Sequence, residues 1–312
     1  QSLAGGTGSG LGSKVSEELR DEYPNCFQMH NVVWPYSSGE VVVQSYNSIL
    51  SLSHLHDTSD AILCLQNDQA HDVCVKLLGN PRPKFQDLNK IMAQGLASIL
   101  MPSTPLSLID STASAAPNPS ALSISQLLES VTPSPLHKLL TARTLPQVPK
   151  SSVAFTSNRW HTLSKLLRQM LVADSHLEEG LDWEVSLEGE NKGAAPIRSL
   201  ANLLVLRGED WRQADLSGFK ARSLYADWSL ASGSPLTIRG SSRRFEGLDR
   251  SISLLSNSQS PVRLLDSVLD KGSELKEAGA FLHQYQAHGL GSEELTNAIA
   301  SLEQVLSDYR FL

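Results

Sequence analysis

Cysteine is scarce in this chain of 312 residues, which contains only Cys26, Cys64 and Cys74. Their odd number and their lack of metal-site spacing predict reduced thiols, as in a cytosolic protein. No apolar run approaches the ~20 residues of a membrane-spanning helix, and the first residues lack the basic and then apolar pattern of a signal peptide. These absences predict a soluble intracellular protein with no membrane partner.

Positive charge is also in short supply, because 26 Lys and Arg residues stand against 33 Asp and Glu residues. The net charge of −7 and the isoelectric point of about 5.7 argue against a surface that binds nucleic acid. We find no internal repeat. The length allows a large core and predicts two domains.

Glycine is concentrated in residues 4–12, which read AGGTGSGLG. Glycine permits φ > 0 and the close approach of a ligand to the backbone, and successive N–H groups in such a turn converge on an anion. Leu11, Val15 and Leu19 follow at helical spacing, so the turn is predicted to open a helix, whose start suits phosphate. The candidate phosphate contacts are Gly5, Gly6, Thr7, Gly8, Ser9 and Gly10.

Two common phosphate-binding motifs are missing from this segment. No Gly-Lys-Ser/Thr follows it, which excludes a P-loop, and its glycines alternate, which excludes the dinucleotide fingerprint of a nicotinamide-dependent oxidoreductase. A flexible linker is the alternative interpretation, and the helix directly behind the segment argues against it.

The next stretch has the rhythm of a parallel α/β sheet. Residues 27–34 and 61–65 are predicted strands, a helix is predicted from Asn67, and residues 41–50 fit either a strand or a helix. Ligands of such sheets bind in the loops at the carboxyl ends of the strands, and Glu40 and Asn67 lie in such loops. A mostly apolar helix is predicted over residues 85–100, with an apolar face broad enough to lie between two bodies.

Composition changes to Ser, Thr, Pro and Ala between residues 101 and 119, and we place a domain boundary in this predicted loop. Helices are then predicted at 124–131 and 160–171, and buried strands at 200–208 and 251–256. The chain ends in two apolar stripes at helical spacing, at 262–275 and 292–309, which predict an antiparallel helical pair.

Several short motifs resemble those of tubulins in order and spacing: WPY at 34–36, YN at 46–47, CLQND at 64–68, DVC at 72–74, FQDLN at 85–89 and FLHQY at 281–285. The glycine segment resembles the phosphate loop of the same family. Within the tubulins, the delta class is most similar, on WPYSSGE at 34–40, LHQY at 282–285, the long loop after residue 101 and the lack of an acidic tail.

The resemblance implies an α/β fold of the tubulin GTPase type. Residues 1–84 would be the C-terminal part of a parallel-sheet nucleotide-binding domain, 85–101 a core helix, 102–260 an intermediate α/β domain and 261–312 a C-terminal helical hairpin. In this family a long stretch of the nucleotide-binding domain precedes the glycine loop, so we expect the chain to be N-terminally truncated.

The resemblance also implies a GTP site. Glu40 would reach the ribose, Gln44 stands where alpha and beta tubulins have an acid near the ribose, and Phe85 would stack on the base. Asn67 and Asn89 would read the guanine edge, since an amide offers both a donor and an acceptor. The structural alternatives are that Phe85 is a core residue, Asn67 a helix cap and Glu40 a solvated turn acid. Mg²⁺ would accompany the nucleotide in the full-length protein.

Catalysis is the least determined part of the resemblance. Gln126 matches the position at which alpha tubulin has a Glu that activates hydrolysis, and the nearest acids are Asp110 and Glu129. An amide can orient water but cannot take its proton, so any activity would be at most a slow GTPase that depends on a subunit contact. A metal site at His54, His56, Asp57 and Asp60 is the less favoured interpretation of a polar surface.

A delta-like tubulin would be a GTP-binding cytoskeletal protein that acts in the assembly of centriole and basal-body triplet microtubules and in cilium formation. The alternative is a non-hydrolysing, tubulin-like adaptor for centriolar partners. Implied partners are alpha and beta tubulin, epsilon tubulin as a further candidate, and centriolar proteins. Implied locations are the cytoplasm, the cytoskeleton, the centrosome and the basal body, with the nucleus as a further option.

Overall fold

The computed structural model describes residues 1–38, 41–108, 119–149, 151–153, 158–188, 195–232 and 234–312. Its contacts divide the chain into two compact units. Unit 1 comprises Gln1–Asp68, Ser134–Leu140 and Gln259–Leu312, and unit 2 comprises Gln69–Pro133 and Thr141–Ser258. The predicted domain limits at residues 84, 101 and 260 stay predictions.

Unit 1 is built on parallel strands. β1 (Met29–Trp34) pairs in parallel with β2 (Ala61–Gln66), and the start of β4 (Leu139–Leu145) pairs in parallel with β2. Ser2 extends the sheet through a parallel bridge to Val33. These strands are rich in Val, Ile and Leu, as expected where both faces of a parallel sheet are covered.

The helices of unit 1 supply the rest of its core. They are α1 (Gly12–Glu22), α2 (Gln44–Thr58), α8 (Val262–Glu277), α9 (Leu282–Gln286) and α10 (Ser292–Arg310), and α3 (Asn67–Asp72) begins at the end of this unit. Arg310 at the end of α10 pairs with Asp266 in the first turns of α8, so these two helices run antiparallel. The largest core cluster joins α2, α8, α10 and the sheet and includes Tyr46, Leu52, Ile62, Leu269, Leu302 and Tyr309.

Unit 2 has a mixed sheet. β5 (Ser199–Gly208) pairs antiparallel with β7 (Arg250–Ser258) and parallel with β6 (Leu236–Ser241), whose other edge holds the short antiparallel β3 (Thr104–Pro105). Its helices are α4 (Phe85–Leu100), α5 (Ile124–Val131), α6 (Trp160–Val172) and α7 (Ser217–Lys220). The α6 stripe packs with strand residues into one core that includes Leu167, Met170, Leu204 and Ile252.

The predicted α/β class is confirmed, and most predicted elements agree with the structure within a few residues. The ambiguous stretch 41–50 is mainly helical, because α2 begins at Gln44. β3 interrupts the predicted 101–119 loop, and α9 lies between the two predicted terminal helices.

Besides β3, the strands β4 and β6 were not predicted, and both of these carry a buried arginine. Arg143 on β4 forms an ion pair with Asp174, with 2.9 Å between Nη2 and Oδ1. Arg239 on β6 donates to the hydroxyl and carbonyl oxygens of Ser103. A charge inside a strand breaks the apolar run on which a sequence-based prediction depends, and here distant partners stabilise it.

Candidate functional site

The strand ends of unit 1 meet at one edge of its sheet. Since the strand at Ser2, β1 and β2 are parallel, their carboxyl ends lie side by side. Three segments therefore follow on from this carboxyl edge, namely the glycine segment from residue 4, the loop from residue 35 and the start of α3 at Asn67. Ligands of parallel α/β sheets bind at such an edge.

The glycine segment is helical rather than an open turn. Gly6 caps the helix with φ −57° and ψ −45°, a π-helical turn runs over Thr7–Leu11, and α1 continues from Gly12. None of these glycines uses the positive φ that glycine permits. Along the glycine segment, the first backbone N–H that donates to a carbonyl is that of Ser9, which lies 2.9 Å from the Gly5 oxygen. The N–H groups of Gly6, Thr7 and Gly8 thus belong to the helix start that lacks intrahelical acceptors.

Space around these glycines differs from one to the next. A β-carbon at Gly8 would lie 2.9 Å from the backbone nitrogen of Ser2, whereas one at Gly5, Gly6 or Gly10 would meet no atom within 4 Å beyond its chain neighbours and the backbone of its own helix. Gly8 is therefore required by packing within the protein. Neither packing nor φ requires the other three, which leaves room for close approach by a bound group.

The hydroxyl side chains of the segment are placed differently. Thr7 is exposed, whereas Ser9 is buried and its Oγ donates to the Gly5 carbonyl at 2.5 Å. Thr7 is thus accessible to a ligand, and the Ser9 hydroxyl is engaged within its own helix start. Their predicted roles in nucleotide binding stay predictions.

Asn67 is the first residue of α3 and directly follows β2. Gln44 is the first residue of α2, the helix that follows β1 in the chain. Gln44 Nε2 donates to the Tyr36 carbonyl at 3.0 Å, which ties α2 to the loop after β1. Asn67 is 8% exposed. Glu40, the predicted ribose contact, lies outside the described residues.

The loop after β1 is held from two further sides. Asp68 Oδ2 accepts from the Ser37 N–H at 2.9 Å, and Lys271 Nζ on α8 donates to the Ser37 carbonyl at 3.0 Å. These two contacts did not follow from the sequence. They join the ends of β1 and β2 to α8.

Asn47 on α2 is the residue of this edge that the sequence interpretation missed as a functional candidate. Its Nδ2 donates to the Ala4 carbonyl at 2.7 Å, directly before the glycines. Its Oδ1 accepts from the Tyr285 hydroxyl of α9, also at 2.7 Å. The YN and FLHQY motifs were the available signals, and neither indicates this contact.

Phe85 and Asn89 belong to unit 2, where both lie on the first turns of α4. Their spacing of four residues puts them on the same helix face. The Phe85 ring is 58% exposed, so the alternative that it is a core residue is wrong. Asn89 is exposed as well. The base-stacking and guanine-reading roles stay predictions.

Gln126 has a clear local role at the start of α5. Its N–H donates to Ser123 Oγ at 3.3 Å, and its Oε1 accepts from the Ser123 N–H at 3.4 Å, which together form a capping box. The side chain is exposed. Asp110 lies outside the described residues, and Glu129 is exposed on the same helix.

Other candidate chemistry is weak in the part of the chain that the structure describes. There, no group of three or more His, Cys, Asp or Glu residues is arranged to hold a metal ion. His56 is buried on α2, and Asp60 pairs with Arg20 at 2.8 Å. Burial raises the pKa of the Cys64 thiol to about 12, which leaves it protonated and unreactive at neutral pH. Over the same described ranges, no helix has the length and apolar character needed to cross a membrane.

Comparison with known proteins supports the family assignment. Residues 1–75, which carry the glycine segment, Gln44 and Asn67, match the GTPase domain of the Tubulin/FtsZ family. The Tubulin delta chains of Mus musculus and Homo sapiens are 39% and 38% identical over 99% of this chain and 68% of each relative. The Tubulin beta chain of Pneumocystis carinii is 25% identical over 99% of this chain and 65% of the relative. The chain belongs to the tubulin family, and its sequence is more similar to these delta chains than to that beta chain.

Proposed function

We propose that this chain is a GTP-binding tubulin and that the carboxyl edge of unit 1 receives the phosphates. The N–H groups at Gly5, Gly6, Thr7 and Gly8 would donate to phosphate oxygens, and the Thr7 hydroxyl would add a further contact. The observation that carries the proposal is the open space at Gly5 and Gly6 beside a helix start with unused donors.

The chemistry of these residues fits a phosphate group. Donors at a helix start combine hydrogen bonds with the positive end of the helix dipole, and the absence of β-carbons at Gly5 and Gly6 permits close approach. Mg²⁺ would accompany the phosphates in the full-length protein and neutralise part of their charge.

We propose the nucleoside contacts from the family resemblance. Glu40 and Gln44 would bind the ribose, Asn67 and Asn89 would read the guanine edge, and Phe85 would stack on the base. Ser9 and Gly10 complete the proposed set of nucleotide residues. The match of residues 1–75 to a GTPase domain supports guanine nucleotide over other ligands.

The cellular role that we propose follows the delta chains. The protein would act in the assembly of centriole and basal-body triplet microtubules and in cilium formation. Its partners would be alpha and beta tubulin, with epsilon tubulin as a further candidate, and centriolar proteins. Its locations would be the cytoplasm, the cytoskeleton, the centrosome and the basal body, with the nucleus as a further site.

A second candidate function is a non-hydrolysing, tubulin-like adaptor that binds centriolar partners. The observation that favours it is the amide at Gln126, which takes part in the capping box of α5. Unlike a carboxylate, the Gln126 amide cannot accept a proton from water and so cannot act as a general base.

The first prediction tests phosphate binding with Gly6→Ala. The methyl group meets no atom within 4 Å beyond its chain neighbours and the backbone of its own helix, and φ is already helical. The fold should therefore be retained while approach of a phosphate is hindered. We expect GTP affinity to fall about tenfold or more, which corresponds to the loss of one or two hydrogen bonds to a charged group. GTP, guanosine and ATP are titrated by NMR into the millimolar range.

Gly95→Ala is the matched control, because its methyl group would lie in ordinary contact on α4, 4.0 Å from Thr144 Oγ1. Its affinity for GTP should equal that of the unmodified chain. GTP binding that is undetectable in the unmodified chain, no tighter than ATP binding, or unaffected by Gly6→Ala would refute the proposal.

A further inference from the structure

The glycine segment is anchored to α2 by two consecutive carbonyl groups. Asn47 Nδ2 donates to the Ala4 carbonyl at 2.7 Å, and Ser48 Oγ donates to the Leu3 carbonyl at 3.4 Å. Leu3 N–H is in turn bonded to Val33 of β1 at 3.2 Å. The chain therefore enters the glycine segment along a fixed path.

The Asn47 bond has a specific geometric consequence. The Ala4 carbonyl and the Gly5 N–H belong to one trans peptide plane, so they point in opposite directions. With the carbonyl turned towards α2, the Gly5 N–H is directed away from it. A β-carbon at Gly5 or Gly6 would meet no atom within 4 Å beyond its chain neighbours and the backbone of its own helix, so these two glycines have open space on that side.

Asn47 is itself held by α9. Its Oδ1 accepts from the Tyr285 hydroxyl at 2.7 Å, across 238 residues of sequence. Both atoms of the amide are thus bonded, which defines one orientation of the side chain. Loss of the hydroxyl would leave a part-buried amide oxygen without its partner and free the side chain to turn.

We propose that Asn47 and Tyr285 are positioning residues of the phosphate-binding segment, and that α9 thereby sets the affinity for GTP. The inference rests on the proposed function, since it assigns these residues to the same site. Neither side chain touches the nucleotide in this scheme. Asn47 acts through the Ala4–Gly5 peptide, and Tyr285 acts through Asn47.

Tyr46 offers a matched control within the same cluster. Its ring packs edge-on against Tyr285, with 5.6 Å between centroids, and its hydroxyl donates to the Ala280 carbonyl at 3.1 Å. Tyr46→Phe and Tyr285→Phe each remove one oxygen from neighbouring rings. Only Tyr285→Phe removes a bond in the path to the glycine segment.

The experiment has two readouts on the whole chain. Amide hydrogen exchange is measured for peptides covering residues 3–11 without nucleotide, and affinities for GTP and guanosine are measured by titration. We expect Tyr285→Phe and Asn47→Asp to raise exchange about two- to tenfold and to weaken GTP by a similar factor, as the loss of one hydrogen bond predicts. The affinity of these two variants for guanosine should equal that of the unmodified chain. Tyr46→Phe should change neither the exchange rate nor the affinity for GTP.

Asn47→Asp keeps an acceptor for the Tyr285 hydroxyl and removes the donor to the Ala4 carbonyl. It therefore tests the bond between residues 47 and 4 separately from the bond to Tyr285. If this variant does not fold, Tyr285→Phe alone decides the question. An unchanged exchange rate of residues 3–11 in Tyr285→Phe would refute the proposal that Tyr285 positions the glycine segment through Asn47. Faster exchange with an unchanged ratio of GTP to guanosine affinity would reduce both residues to a structural role and overturn the proposal. An unmodified chain that exchanges as expected but binds no GTP would refute the proposed function and, with it, the positioning role.

Discussion

Gly8 shows how one residue in a glycine-rich segment differs from its neighbours. The backbone of Ser2 passes directly beside Gly8, so that a β-carbon there would lie 2.9 Å from the Ser2 nitrogen and 3.0 Å from its oxygen. Ser2 in turn bridges to Val33 of β1. Gly8 is thus the point at which the π-helical turn packs on the sheet.

The second prediction compares Gly8→Ala with Gly10→Ala. At Gly8 the added methyl group forces apart two backbone segments, which should lower the free energy of unfolding by about 1–3 kcal/mol. At Gly10 the methyl group has open space, and alanine should raise that free energy by about 0.5–1 kcal/mol because glycine loses more backbone entropy on folding. Urea unfolding followed by circular dichroism measures both. Equal effects at the two positions would contradict this difference.

At the scale of elements, the last turn of α10 holds the start of β4. The Tyr309 side chain is fully buried, and its hydroxyl donates to the Leu139 carbonyl at 3.1 Å and accepts from the Leu139 N–H at 2.9 Å. Burial raises the pKa of this hydroxyl well above its usual range, so it stays protonated and keeps its donor. One side chain therefore satisfies both backbone groups of a buried strand residue.

The third prediction is that Tyr309→Phe destabilises unit 1 although it removes a single oxygen atom. Two buried backbone groups of Leu139 lose their partner, which should cost about 1–3 kcal/mol. Chemical denaturation measures the loss. Tyr285→Phe is the comparison, since its hydroxyl bonds a side chain that is only part-buried, and it should cost less. A Tyr309→Phe chain as stable as the unmodified one would show that water or backbone movement replaces the hydroxyl.

Residues 134–138, which lead into β4, bring two buried histidines together with α2 and α10. His56 Nε2 lies 3.3 Å from the Leu136 carbonyl, and His137 Nε2 lies 3.2 Å from the Asp308 carbonyl. Burial is the main cause that lowers the pKa of both imidazoles from the ordinary value of 6.5. The Lys138 ammonium lowers the pKa of His56 further, while the bond to the Leu136 carbonyl and the charges of Asp57 and Asp308 partly oppose the shift. At His137 the bond to the Asp308 carbonyl and the Asp308 charge oppose it.

The fourth prediction is a loss of stability as the pH falls below about 6.5. A depressed pKa means that the unfolded chain takes up protons first, so stability is full above that pH and declines until the folded histidines protonate too. Each histidine contributes up to about 1.4 kcal/mol per pH unit in this window. Urea midpoints at several pH values between 7.5 and 5 measure the slope.

His137→Gln should reduce that slope, because it removes one of the three imidazoles, those of His30, His56 and His137, whose pKa is lowered mainly by burial. Ser134→Ala is the control, since it removes only the hydroxyl 3.2 Å from His137 Nδ1 and keeps the imidazole. A His137→Gln chain with the same slope as the unmodified chain would show that the pH dependence comes from other groups.

At the scale of the whole molecule, the two proposed functions differ in whether the protein drives GTP turnover or decorates a polymer. If the resemblance holds at this position, Gln126 would face the nucleotide of a neighbouring subunit, where alpha tubulin has a carboxylate. A carboxylate at this position can also serve the capping box, because Glu at the third helical position accepts from the cap N–H just as Gln does. The substitution Gln126→Glu should therefore introduce a proton-accepting group and leave the fold intact.

The fifth prediction is that the natural chain stimulates a neighbour's GTP hydrolysis less than alpha tubulin does, and that Gln126→Glu raises the rate. A general base contributes about 10²–10⁴-fold when well placed, so a gain of tenfold or more is expected. Phosphate release in a mixed assembly with alpha and beta tubulin measures turnover. Glu129→Gln, on the same helix, serves as control and should leave the rate unchanged.

A natural chain that already stimulates hydrolysis as strongly as alpha tubulin, with no gain from Gln126→Glu, would overturn this prediction. Such a result would also remove the observation that favours the adaptor function.

Much of the fold could be predicted because its elements have local signals. β1, β2 and β5 are apolar runs, α6 and α10 have apolar stripes at helical spacing, and all lie where the sequence places them. β4 and β6 could not be predicted, since Arg143 and Arg239 interrupt their apolar runs and are stabilised by Asp174 and Ser103, residues that lie far away in sequence. The start of α2 became clear only once its packing was known.

The sequence by itself determined the family, the α/β class and the list of candidate nucleotide residues, because these depend on short motifs and local periodicity. Only the tertiary structure decided that the glycine segment is helical, that Gly8 alone among Gly5, Gly6, Gly8 and Gly10 is required by contact with Ser2, and that Phe85 is exposed. It also revealed the Tyr285–Asn47–Ala4 contacts. Hydrogen bonds and close contacts between residues distant in sequence leave no periodic pattern, so they emerge only when packing brings those residues together.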